Sequence, residues 1–123
     1  MSKSLRDALA GLDGVVEARS AFKDETAYWV NGKEIAHFEG ERAIDIRLTR
    51  AGIRDRRQEL RADPRVRLRP TASDWLTVEF AAADEEFVVA LVEAAAAVHR
   101  APTGTIAEPP PTGSDLARRR RFH

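Results

Sequence analysis

The chain has 123 residues, 20 basic side chains against 20 acidic ones, 43% apolar residues and no cysteine. That length suits one domain with its own core and excludes a site formed between large domains. The missing cysteines exclude thiolate catalysis, disulfide scaffolds and cysteine-ligated zinc.

Residues 1–10 contain no apolar run of signal-peptide length, because Arg6 and Asp7 interrupt them. Residues 87–98 form the longest apolar stretch, but it is short and carries Glu93. A soluble, cytoplasmic protein with no membrane association is therefore expected.

Ser4 can cap a first helix with Leu5, Leu9 and Leu12 on one stripe, ended by Gly11, Asp13 and Gly14. Residues 15–22 alternate as a half-buried strand, with Val16, Ala18 and Phe22 on one face. Asn31-Gly32 then separates two apolar runs, 26–30 and 33–38, and its readiness for positive φ predicts a tight two-residue hairpin. In that register Tyr28 faces Ile35, Thr26 faces His37, and Trp29 faces Glu34. A return at Gly40-Glu41 leads to a strand with Ile44, Ile46 and Leu48 on its apolar side. Carrying the same pairing across puts His37 beside Ile44, and Trp29 and Phe38 on the opposite face with Asp45 and Arg47.

Thr49 or Arg50 opens a short polar helix that must stop before Pro64. Val66 and Leu68 alternate with Arg65, Arg67 and Arg69, and residues 75–80 alternate again. Asp84 caps a last helix whose residues Phe87, Val88, Leu91, Val92, Ala95 and Val98 make it central. The order is helix, four strands, short helix, two strands, long helix. It predicts a single α+β domain over residues 1–100, a mostly antiparallel sheet with helices on one face. Residues 101–123 hold four of the six prolines and end in Arg118 to Arg121, so a disordered tail is expected there.

The stretches Gly14 to Arg19, Tyr28 to Phe38, Asp45 to Thr49 and Ser73 to Val78 resemble the luciferase-domain family of small bacterial proteins. They are more distantly similar to the MmcQ/YjbR family, which has a tryptophan-threonine strand before its last helix. The resemblance covers about residues 3–99 and implies a YjbR-like fold, an arrangement likened to a double-wing DNA-binding domain. The luciferase label is a name inherited by similarity, and the chain has no flavin- or nucleotide-binding glycine loop.

Zero net charge conceals a division along the chain. Residues 42–69 hold 10 basic and 4 acidic side chains, whereas residues 70–99 hold none and 6. Arg54, Arg57 and Arg61 fall at helical spacing, and Arg65, Arg67 and Arg69 at strand spacing. On a shared surface they would bind phosphate or nucleic acid, because guanidinium groups pair bidentately with such anions. The competing reading is a solvated face on which Asp55, Glu59 and Asp63 neutralise them.

Trp29, Phe38 and Trp75 are either core residues or an exposed apolar patch, the latter implying a partner and suggesting a homodimer. His37 is the one histidine inside the expected sheet. His99 ends the last helix, where a cation suits the negative dipole end, and His123 lies in the tail. No two histidines have metal-ligand spacing, and no metal or other cofactor is expected. These features predict a non-enzymatic binding module for an anionic ligand, nucleic acid or protein. The alternative is a small enzyme with a pocket on the sheet involving His37 and Tyr28.

Overall fold

A computed structural model describes residues 3–111. Residues 112–123, with the arginines Arg118 to Arg121, lie outside the described residues. Six strands form one sheet in the order β1-β2-β3-β4-β6-β5, every neighbouring pair antiparallel. The strands are β1 (Val15–Arg19), β2 (Thr26–Val30), β3 (Lys33–Phe38), β4 (Ala43–Arg47), β5 (Val66–Leu68) and β6 (Trp75–Glu79). Helix α1 (Lys3–Ala10) precedes them, α2 (Arg50–Asp55) and α3 (Arg57–Ala62) separate β4 from β5, and α4 (Glu85–His99) closes the domain. This is the α+β architecture expected from the sequence, with the short polar helix broken in two at Arg56.

The core lies between one sheet face and the helices. Ile44, Ile46, Leu76 and Val78 are fully buried against Val88, Val92 and Ala95 of α4 and Leu5 and Leu9 of α1. Val98, expected on the buried stripe of α4, is 56% exposed near the helix end. Asp84 caps differently from the expectation: its carboxylate accepts the Ala81 N–H and the Arg65 guanidinium, with no side-chain bond to the first turn of α4. No helix among the described residues is long and apolar enough to cross a membrane.

The hairpin turn forms at Asn31-Gly32, with φ of 49° and 76°, and Val30 faces Lys33 and Trp29 faces Glu34 as expected. Beyond that the register shifts: Tyr28 pairs with Ala36 and Ala27 with His37. Ile35 is thus the extra residue of a β-bulge, and both Ile35 and Ala36 pack into the helix-side core. The bulge reverses the facing of everything after it. Phe38 pairs with Ile44 and enters the core, while His37 pairs with Asp45 and turns to the other face.

This corrects the expected partners of His37 and Phe38. Trp29 and Phe38 are each only 1% exposed, so they do not form the exposed apolar patch from which a homodimer was expected. Tyr28 is also fully buried on the helix side.

β1 ends at Arg19, short of the expected Phe22. The reason lies in Glu34, whose buried carboxylate accepts the Ser20 hydroxyl and the Ala21 N–H, both at 2.6 Å. Residues 20–25 therefore leave the strand and fold over the sheet face opposite the helices. Ala21 seats there with Ala27 and Trp29 in a small second core, and the Trp29 indole donates to the Arg19 carbonyl.

Candidate functional site

The open face carries one polar row across the sheet. His37, Asp45, Thr77 and Arg67 pair successively from β3 to β5, so side-chain alternation sets them on one side. His37 stands at the centre of the row. Its Nδ1 lies 2.8 Å from Glu34 and its Nε2 3.1 Å from Asp45, with Glu39 also 3.4 Å from Nε2.

Each carboxylate has a further partner. Thr77 donates to Asp45 at 2.6 Å and accepts from Arg69 at 2.8 Å, and Arg69 itself lies 3.6 Å from Asp45. Lys23 donates to Glu39 at 2.6 Å.

Burial alone would lower the pKa of His37, but hydrogen bonds to Asp45 and Glu34 outweigh it and raise it from 6.5 to about 9. Burial would conversely raise that of Asp45, yet its bonds with His37 and Thr77 hold it below the ordinary carboxylate range. The Glu39 carboxylate beside Lys23 raises the lysine. At neutral pH the cluster therefore holds an imidazolium.

Aromatic rings enclose His37. Phe22, delivered by the folded-over loop, lies 5.7 Å from the imidazole and Trp75 5.1 Å from it, while the two aromatic rings meet edge to face. Beside them is a cavity of about 380 Å³, bounded by Phe22, Lys23, His37, Asp45, Arg69 and Trp75 among others. The start of β6 is tied down by Asp74, whose carboxylate accepts the Arg50 N–H and whose carbonyl accepts the Thr49 N–H. Ser73 accepts the Trp75 N–H.

The arginines expected to share one surface are divided. Arg54 pairs with Asp55, Arg65 with Asp63 and Asp84 over the Phe87 ring, and Arg67 with Glu79. Arg57, Arg61 and Arg69 come together with Arg50 around a second hollow of about 350 Å³. That hollow shares Arg69, Ser73 and Trp75 with the His37 cavity, so the two are adjoining parts of one cleft. Among the sequence-derived aromatic candidates, Trp75 lines both parts and Phe38 neither.

His37, Glu39 and Asp45 present ligand atoms within 4.8 Å of one another, a possible donor set for a divalent cation. The charges nevertheless balance without one: the carboxylates of Glu34, Glu39 and Asp45 face the cations of His37, Lys23 and Arg69.

Sequence reasoning missed Glu34 as the organiser of this site. The available signal was an acidic residue on a strand whose other positions after Lys33 are all apolar except His37.

In comparison with known proteins, the family model described as Luciferase domain fits residues 32–95. That span contains Glu34, His37, Asp45, Arg69 and Trp75 and omits the loop carrying Ser20 and Phe22. No curated protein and no solved structure matches the chain.

Proposed function

The chain belongs to the luciferase-domain family, and we propose that it is a small enzyme that binds a small molecule in the cleft on the open sheet face and donates a proton to it from His37. One observation carries this reading: His37 is held between Glu34 and Asp45 beside a cavity of about 380 Å³. An imidazole with a carboxylate at each nitrogen is charged at neutral pH, which makes it a donor and not a general base; its proton reaches the substrate from Nε2 when the substrate oxygen takes the place of Asp45, whose carboxylate keeps Thr77 and Arg69. Negative charge developing on a substrate oxygen would meet a fixed cation there in place of mobile water. Trp75 and Phe22 supply flat apolar walls for the substrate body. Tyr28 has no part in this reading, since it is buried on the helix side.

Protein-observed NMR with carbonyl-containing fragments tests the reading. Binding fragments are expected to shift the His37 imidazole and Trp75 indole signals together. A set of fragments that bind without moving either signal overturns it.

A non-enzymatic binding module is the second reading, favoured by Arg50, Arg57 and Arg61, which have no ion-pair partner among the described residues and line one hollow. The distant likeness to the MmcQ/YjbR family, and with it a nucleic-acid partner, belongs to this second reading. His37→Gln separates the two: it would abolish turnover in the enzyme and leave a binding module's affinity unchanged.

A further inference from the structure

The hollow beside the His37 cavity has an unusual charge balance. It is lined by the exposed residues Arg50, Arg57 and Arg61 and by half-buried Arg69, the less exposed Ile53, Leu68 and Trp75 give it an apolar floor, and no carboxylate residue lines it. Elsewhere on the same helices and strands, arginines are neutralised: Arg54 by Asp55, Arg65 by Asp63 and Asp84, Arg67 by Glu79. Arg50, Arg57 and Arg61 form no ion pair among the described residues, and Arg69 is shared with Thr77 and Asp45.

Like charges gathered without a counter-charge repel one another, and a bound anion relieves that repulsion. Guanidinium forks suit the planar or tetrahedral oxygens of carboxylate and phosphate. The apolar floor suits a ligand that is not an inorganic ion alone.

We propose that this hollow is a subsite for the anionic group, phosphate or carboxylate, of a small molecule whose apolar body lies along Trp75 toward His37. The inference deepens the reading above and rests on it only for the direction in which the ligand extends. Two arginines on α3 and one on α2 would grip the anion, and Arg69, which reaches both parts of the cleft, would join its charge to the Thr77–Asp45–His37 chain of hydrogen bonds.

Calorimetric titration with naphthyl phosphate, naphthoate, naphthol and inorganic phosphate tests it. Naphthyl phosphate or naphthoate should bind at least about tenfold more tightly than naphthol or inorganic phosphate, and whichever of the two binds better identifies the preferred anion. The double variant Arg57→Ala/Arg61→Ala should lose about tenfold or more of that affinity, and added salt should weaken the wild type. Lys33→Ala, an exposed change on the hairpin, should leave it unaltered.

His37→Gln should retain the affinity within about threefold, so the anion subsite stands or falls separately from proton donation. Equal binding of naphthol and naphthyl phosphate, or undiminished binding by the double arginine variant, overturns the proposal. So does salt-sensitive binding of duplex DNA without binding of naphthyl phosphate, which would make the arginines a nucleic-acid surface.

Discussion

The two faces of the sheet are built from alternate residues of the same strands, yet they are held by different physics. On the helix side, Ile44, Ile46, Leu76 and Val78 meet α4 through apolar contact alone, where shape and volume matter and chemical identity is interchangeable among hydrocarbons. On the open side, Glu34, His37, Asp45 and Thr77 are satisfied only by named partners at hydrogen-bond distance. A buried charge network of this kind gives little net stability over an apolar replacement, but breaking one member leaves the others unpaired. The helix face thus specifies the fold, and the open face maintains a charged group that folding alone does not require.

That contrast can be broken at its strongest point. Glu34→Ala strips the acceptor from the Ser20 hydroxyl, the Ala21 N–H and His37 Nδ1 at once. It should cost about 3–5 kcal/mol in chemical denaturation and release residues 20–25 from the sheet. A loss below about 1 kcal/mol would show that the loop is held by other contacts. On the helix face, Ile46→Ala should cost about 3 kcal/mol through cavity formation, with the same value at every pH. A strongly pH-dependent cost would deny that the two faces are independent.

The next effect is of similar size and belongs to the open face alone. His37 has a folded-state pKa of about 9 against an ordinary 6.5, so its contribution is complete below about pH 6.5 and is lost as pH rises through 9. The wild type should lose on the order of 3 kcal/mol across that window, whereas His37→Gln should show a flat profile there. An unchanged slope in the variant would assign the effect to another group. The smallest effect should come from Arg57→Ala, an exposed change without an ion-pair partner among the described residues, which should alter stability by no more than about 0.5 kcal/mol. A larger loss would mean that the arginine supports α3 and is not held for a ligand.

Much of the helix face was legible in the sequence, because its signals are local. Asn31-Gly32 set the turn, Pro64 bounded α3, and the apolar spacing of Val88, Leu91, Val92 and Ala95 marked the buried side of α4. The open face was less legible because it depends on one inserted residue. The sequence of β3 gives no sign that Ile35 bulges, and without the bulge His37 would sit beside Ile44 in the core. Glu34 likewise read only as the cross-strand partner of Trp29. Its role appears only when the chain after Arg19 turns back to donate to it. Spacing singled out Arg57, Arg61 and Arg69 but not Arg50, and it could not say which arginines would meet Asp55, Asp63, Asp84 or Glu79 and which would be left to line a hollow.

NMR titration of the two ring nitrogens of His37 in the intact protein measures its charge most directly. An imidazolium protonated at both Nδ1 and Nε2 at neutral pH, titrating near 9, is the expected result. Titration near the ordinary 6.5, leaving a neutral imidazole at neutral pH, would contradict it.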